Sequence, residues 1–278
     1  MKALLKAGNT AVITGGANGI GLAAAKTFAR AGMNVCIADV DAEQLDAAMA
    51  ELKALAPAGE IASFATDVAD HSAVVALKDA VFERFGAVNV LMNNAGIGAG
   101  GGAYSNLEGW QKVMAVNLWG IIHGVQTFVP AMLEQGEQAV VINTGSKQGI
   151  TNPPGNAAYN VAKAGVRALT ESLAHELRNV EGGQLTAHLL VPGFTYTGLI
   201  ARHVAEKPPA AWTPEQVVEY MLDRIDTGDF YVLCPDNDVS VALDHKRIQW
   251  NTDDLIENRP ALSRWHPDFA DAFARFVE

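Results

Sequence analysis

Cysteine is scarce in this chain, bases are outnumbered by acids, and long apolar runs are missing. Cys36 and Cys234 are the 2 cysteines among 278 residues, too few for a disulfide framework, which favours a reducing compartment. Cys36, within the apolar stretch of residues 33–38, reads as a small buried residue. Lys and Arg total 20 against 31 Asp and Glu, a formal net charge of -11. So few cations argue against a nucleic-acid backbone or an anionic membrane surface as partner. No run of about 18 apolar residues offers a transmembrane helix. Lys2 and Lys6 precede no uninterrupted apolar core of a signal peptide. The histidines at 71, 123, 175, 188, 203, 245 and 266 show no metal-ligand spacing, and no cysteine stands near a pair of them, so no metal is expected. These absences together predict a soluble, cytoplasmic protein.

What remains is ordinary globular material, 49% apolar and 18% charged, enough to bury a sizeable core. Length alone allows one large domain or two small ones. Short β-branched runs alternate with helix-like segments: strands over 10–14, 35–39, 61–66, 88–92, 139–144 and 185–191, with helices over 19–31, 42–56, 71–85, 107–135 and 157–180 between them. Pro57 should stop the second helix, Gly86 the third, and Pro130 should bend the long fourth one. Strands joined by helical crossovers pair in parallel and are covered on both faces. The expected fold is a doubly wound, Rossmann-like α/β sheet of about seven strands with helices on both faces. No repeat, low-complexity tract or long linker divides the chain.

The first strand leads into Thr14-Gly15-Gly16-Ala17-Asn18-Gly19-Ile20-Gly21 and then a helix. Backbone can approach a pyrophosphate closely where Cβ atoms are missing, and the free N–H groups of a helix N-terminus attract anions. Gly15, Gly19 and Gly21 meet those demands in the context the motif requires, a strand before and a helix after. Asp39 ends the second strand, where a carboxylate can accept from both ribose hydroxyls and would repel a 2′-phosphate. No base lies in the loop or just after Asp39, and Asp41 adds a second negative charge, so NAD(H) is expected over NADP(H). A simple helix cap is the other reading of Asp39.

Tyr159 and Lys163, at i and i+4, share a helix face. A phenol with a pKa near 10 is a poor base at neutral pH, and an adjacent cation would stabilise its phenolate. Ser146, just past the fifth strand, could hydrogen-bond a substrate oxygen from the other side. A Tyr/Lys pair by itself is equally compatible with surface packing.

The motifs taken together resemble those of the short-chain dehydrogenase/reductases. Thr14-Gly15-x3-Gly19-Ile20-Gly21, Asn93-Asn94-Ala95-Gly96, Ser146, Tyr159-x3-Lys163 and Pro192-Gly193 occur in that family's order and approximate spacing, over about residues 8 to 200. The resemblance implies that Tyr159 is the general acid/base, that Ser146 polarises the substrate oxygen, and that Lys163 lowers the Tyr159 pKa and holds the nicotinamide ribose. It implies that Asn117 positions a water in the proton relay. Its cofactor contacts map onto Gly15, Asn18, Gly19, Ile20, Gly21, Asp39, Val40, Asp67, Val68, Asn94, Ala95, Gly96, Tyr159, Lys163, Pro192, Gly193, Thr195 and Thr197, with Asn93 stabilising the sheet. The function so implied is NAD(H)-dependent interconversion of a secondary alcohol and a ketone. A non-catalytic dinucleotide sensor, or an epimerase or dehydratase using transient oxidation, are the alternatives.

Beyond residue 200 the resemblance thins. Residues 1–278 read as one cofactor-binding domain, with a substrate-loop region over 194–228 and a divergent tail over 235–278. Phe194, Tyr196, Leu199, Ile200 and Trp212, with Gln148, Ile150, Pro153 and Pro154, offer an apolar, partly aromatic substrate lining. Arg202 and His203 are the basic residues near it, so a highly phosphorylated substrate is not expected. Residues 98–102 read as a flexible edge of the cleft. From residue 205 onward, 15 acids face 7 bases, so -8 of the net -11 belongs to the last 74 residues. That tail, with Trp250, Trp265 and Phe269, could be a subunit-interface arm, a lid, or a segment packed on its own subunit. A homodimer or homotetramer is the expected assembly.

Overall fold

The computed structural model describes residues 1–278 except Pro57, Ala99, Arg202 and His203. The expected helix stop at Pro57, the bases Arg202 and His203 and one residue of the 98–102 run therefore lie outside the described residues. Seven strands, β1 (Thr10–Thr14), β2 (Asn34–Asp39), β3 (Ile61–Ala65), β4 (Val90–Asn93), β5 (Ala139–Thr144), β6 (Leu185–Val191) and β7 (Tyr231–Leu233), form one sheet in the order β3-β2-β1-β4-β5-β6-β7. Every pairing is parallel. The order reverses between β1 and β4, and at such a switch point the carboxyl ends of the strands open a crevice.

The helices are α1 (Gly19–Arg30), α2 (Ala42–Leu55), α3 (His71–Phe85), α4 (Leu107–Met114), α5 (Gly120–Glu134), α6 (Gln148–Thr151), α7 (Ala157–Arg178), α8 (Gly198–Ala201), α9 (Pro214–Asp226), α10 (Val241–Ile256) and α11 (Ala270–Val277). Alternating strand residues feed two cores. Ala11 and Ile13 join α1, α2 and α9 on one face; Val12 and Leu91 join α3, α5 and α7 on the other. Caps fix the helix starts. Asp41 and Asp70 accept from the first turns of α2 and α3, and Thr213 with Gln216 forms a capping box ahead of Pro214.

The long fourth helix is continuous over 107–134, with a π-helical turn at Ala115–Trp119 between α4 and α5. Pro130 lies inside α5, and the π turn carries Asn117. This tract has the length and mean apolarity of a membrane span, but its Ile121, Val125, Phe128, Val129 and Met132 are buried in the core under the sheet.

Part of the tail packs against the body of the same chain. α10 lies against α6 and α11, and Trp250, 5% exposed, meets Phe273 and Phe276 edge-on at 5.3 and 5.2 Å. The Arg259 guanidinium covers the Trp250 ring at 4.2 Å, and Trp250 Nε1 donates to Ser263 Oγ at 2.8 Å.

Candidate active site

The glycine loop sits in the crevice at the end of β1. Gly15 has φ +63° and a Cβ there would stand 2.8 Å from Ala95 Cα, so no other residue fits. Gly21 is required by packing, since a Cβ would come 2.2 Å from the Gly15 carbonyl oxygen. Asn94 braces the loop: its Nδ2 donates to the Thr14 and Gly15 carbonyls, each at 3.2 Å. Thr14 Oγ1 in turn accepts from the Asn94 and Ala95 N–H groups at 2.9 and 3.2 Å. Asn93 is spent inside the sheet, donating to Asn143 Oδ1 at 2.9 Å.

Asp39 stands where β2 ends. Its carboxylate accepts from the Ala17 N–H and the Asp41 N–H, both at 3.3 Å, which ties the end of β2 to the glycine loop. Asn18 Nδ2 donates to Gln44 Oε1 at 2.7 Å, closing the same side. Between the start of α1 and the segment after β6 lies a cleft of about 340 Å³ lined by Asn18, Gly19, Lys26, Tyr196, Thr197 and Glu215. A Cβ on Gly19 would come 3.1 Å from Thr197 Cβ. The bare backbone, the α1 N-terminus and the carboxylate of Asp39 form a donor and acceptor set suited to a dinucleotide.

The chemical end of the site is built from α7, the β5 terminus and the π turn. Asn156 caps α7, accepting from Tyr159 N–H, and its Nδ2 donates to the Gly98 carbonyl at 3.2 Å. One turn on, Lys163 is buried, and its Nζ donates to the Thr144 carbonyl at 2.7 Å and lies 5.8 Å from the Tyr159 ring centroid. Ser146 Oγ accepts from the Gln148 N–H at 3.2 Å. Asn117, fully buried, clamps Ile97 with both ends of its amide, accepting from the N–H at 2.8 Å and donating to the carbonyl at 2.9 Å. Gly96 lies beside Asn117 Oδ1 and Lys163 Nζ; a Cβ there would stand 3.5 and 3.8 Å from them. Asn117 from the π turn, Ser146 from the loop after β5, and Tyr159 and Lys163 from α7 are thus brought into one region by three segments.

Burial governs the titration of the pair. It lowers the Lys163 pKa to about 8 and raises that of Tyr159, against a hydrogen bond with Ser146 that lowers it.

The remaining expected residues are distributed unevenly. Val40 is exposed, whereas Val68 is buried against Gly120 and its carbonyl accepts from the His123 ring at 2.9 Å. Asp67 accepts from the Ala69 N–H at 2.9 Å, and Ile20 is buried in the first turn of α1. Pro192 and Gly193 follow β6, with Gly193 packed on the Pro235 carbonyl and Asp236. Thr195 Oγ1 donates to the Gly193 carbonyl at 3.1 Å, a local use of its hydroxyl. Leu199 rests against Gly98 across the mouth of the cleft, and Gln148 opens α6. Tyr196 lies on the α1 side, its hydroxyl donating to the Val204 and Ala205 carbonyls. Trp212 turns inward, 5.7 Å edge-on from Tyr220 and packed on the α1/α9 core. Phe194 stands 38% exposed.

Several residues of the site carried no expectation from the sequence. Thr14 stood in the glycine motif without an assigned role and acts through its hydroxyl, while Thr144 acts through a strand-end carbonyl, which leaves no motif. Asn156, three residues before Tyr159, was legible as a helix cap. Among the described residues no group of three or more His, Cys, Asp or Glu side chains could hold a metal.

This fold and site define an α/β oxidoreductase built around a dinucleotide crevice. The short chain dehydrogenase family model matches residues 9–208, and the chain belongs to that family. It is 33% identical over 224 residues to the 3-oxoacyl-[acyl-carrier-protein] reductase FabG of Thermotoga maritima, covering 80% of this chain and 85% of that one. It is 32% identical over 219 residues to the 3alpha-hydroxysteroid dehydrogenase of Mediterraneibacter gnavus, covering 78% and 82%. A short chain dehydrogenase/reductase from Burkholderia phymatum, solved in complex with NAD, superposes with a TM-score of 0.82 at 33% identity over 92% of this chain and 97% of that one. A metagenomic short-chain oxidoreductase, solved in complex with NADP, gives a TM-score of 0.68 at 29% identity, with 83% and 98% covered.

Proposed function

We propose that the protein is an NAD(H)-dependent dehydrogenase/reductase that interconverts a secondary alcohol and a ketone, with Tyr159 as general acid/base. The observation that carries this is the placement of the buried Lys163 Nζ 5.8 Å from the Tyr159 ring centroid and 2.7 Å from the Thr144 carbonyl oxygen, two residues before Ser146. In reduction the Tyr159 hydroxyl gives its proton to the carbonyl oxygen, and in oxidation the phenolate takes it back. Ser146 donates to the same oxygen and stabilises the charge that develops there. Lys163 and Asn117 hold the proton path on the side of Gly96, and Lys163 also meets the ribose hydroxyls. The nicotinamide, when bound, supplies the hydride chemistry.

The preference for NAD(H) rests on Asp39, whose carboxylate at the end of β2 would accept from the ribose hydroxyls, with Asp41 beside it and no cation in the loop. The substrate is uncharged or weakly polar, in keeping with the exposed apolar side chains of Phe194 and Leu199 in the segment after β6. Leu107, Trp119 and Val161, exposed by 73%, 52% and 47% on α4, the π turn and α7, supply an apolar face for a homodimer or homotetramer. The protein works in the cytoplasm on a small molecule.

The test is a panel of secondary alcohols and ketones with NAD+ or NADH, followed by nicotinamide fluorescence on excitation at 340 nm. Net formation or consumption of NADH is expected. Tight NADH binding without turnover would favour a sensor, and substrate conversion without net NADH change an epimerase or dehydratase.

A further inference from the structure

The tail that departs from the family's pattern reaches the catalytic serine's own loop. Lys147, the residue after Ser146, turns away from the cleft. Its Nζ lies 2.5 Å from Asp244 Oδ2 and 3.5 Å from Asp236 Oδ2. The lysine side chain is 19% exposed and each carboxylate 6%. The contact with Asp244 is an ion pair without hydrogen-bond alignment. It therefore constrains Lys147 through charge. Arg247 and Arg264 also face Asp244.

Each partner of this cluster belongs to a different part of the site. Asp244 is in the first turn of α10, in the tail. Asp236 follows β7 and accepts from the Phe194 N–H at 3.1 Å, so it holds the segment after Pro192 and Gly193. The Lys147 carbonyl accepts from the Ile150 and Thr151 N–H groups at 3.0 and 3.1 Å and so begins α6. That short helix is seated against α7, where a Cβ on Gly149 would come 2.4 Å from the Lys163 carbonyl carbon. From the other side Asn251 of α10 donates to the Ile150 carbonyl at 3.3 Å. The loop carrying Ser146 is thus held between the catalytic helix and the tail.

We propose that Asp244 is a positioning residue for Ser146: through Lys147 it fixes the 146–151 turn, which makes the C-terminal tail a working part of the active site. The proposal rests on the dehydrogenase reading for its kinetic readout but has a second readout that does not. The Gln148 N–H donates to Ser146 Oγ, so its hydrogen exchange reports the placement of that hydroxyl directly.

The experiment compares the full-length wild type with Asp244→Asn and with the double variant Lys147→Met/Asp244→Leu. Turnover, KM, NADH affinity, Tm and Gln148 amide exchange are measured on each. Asp244→Asn is expected to lower kcat by about tenfold, since small misplacements of a catalytic group are costly in rate, with KM and NADH affinity nearly unchanged and Gln148 exchange accelerated. The double variant removes both buried charges, so its Tm should recover while kcat stays low and Gln148 exchange stays fast. Recovery of kcat together with Tm would assign the pair a purely structural role and overturn the proposal, as would unchanged kcat and exchange in Asp244→Asn. Should Asp244→Asn fail to fold, the double variant decides alone. Should the wild type show no turnover with any alcohol or ketone, the dehydrogenase reading fails, and Gln148 exchange still decides whether Asp244 places Ser146.

Discussion

Lys163 Nζ donates to the Thr144 carbonyl at 2.7 Å, joining α7 to the end of β5. The bond anchors a buried ammonium at the edge where Ser146 follows two residues later. It holds the cation near Tyr159 without spending either the phenol or the serine hydroxyl. The chemistry at Tyr159 and the titration of Lys163 can therefore be tested separately.

Tyr159→Phe keeps the ring and removes the hydroxyl. NADH affinity should stay within a few-fold and turnover should fall by about a hundredfold or more, the scale of general acid–base catalysis. Fluorescence titration gives the first quantity and initial rates the second. Turnover near the wild-type level would exclude Tyr159 as the acid/base.

Lys163 should leave a signature in stability against pH. Burial lowers its folded-state pKa to about 8, below the 10.5 of the exposed group. Between those values the unfolded chain binds the proton that the folded chain has lost, so stability rises with pH across that window. Equivalently, the contribution of Lys163 is fully present above the upper value and is lost as pH falls through the lower one. The difference in unfolding free energy between wild type and Lys163→Met, measured by denaturant titration without cofactor, should move in favour of the wild type by roughly 1–3 kcal/mol from pH 7.5 to 10.5. A flat difference would mean that Lys163 titrates normally.

The parts of the molecule readable from sequence are those set by local pattern. β1 and its glycine loop follow from a β-branched run, a required positive φ at Gly15 and a helix start at Gly19. The parallel sheet follows from strands alternating with helices, and the Tyr159/Lys163 pairing from helical spacing. What could not be read depends on distant partners. The π turn at Asn117 has no compositional mark. The inward turn of Trp212 depends on Tyr220 and the α1/α9 core, and its aromatic character alone placed it in the substrate lining. The pairing of Lys147 with Asp244 joins segments far apart in the chain, and charge pairs of that kind carry no periodicity.

Asp39 should govern the choice of dinucleotide. Asp39→Ala removes the carboxylate that a 2′-phosphate would meet and also the acceptor for the Ala17 N–H. The ratio of kcat/KM with NAD+ to that with NADP+ should fall, mainly through weaker NAD+ use. An enzyme already faster with NADP+ before substitution would refute the assignment.

Asn117 offers a test that separates scaffold from proton relay. Its amide satisfies both backbone groups of Ile97 from a fully buried position, so Asn117→Ala leaves a donor and an acceptor without partners. Loss of such bonds costs about 1–3 kcal/mol each, and both stability and turnover should fall. Asn117→Asp keeps the acceptor for the Ile97 N–H but cannot donate to the Ile97 carbonyl while ionised. If the residue acts by clamping Ile97, the aspartate variant should lie between alanine and wild type in Tm and in kcat alike. If its main contribution is to the relay, Tm should recover while kcat remains at the alanine level. Thermal unfolding and initial rates on the same preparations distinguish the two outcomes, and wild-type kcat in Asn117→Ala would remove the residue from the catalytic set.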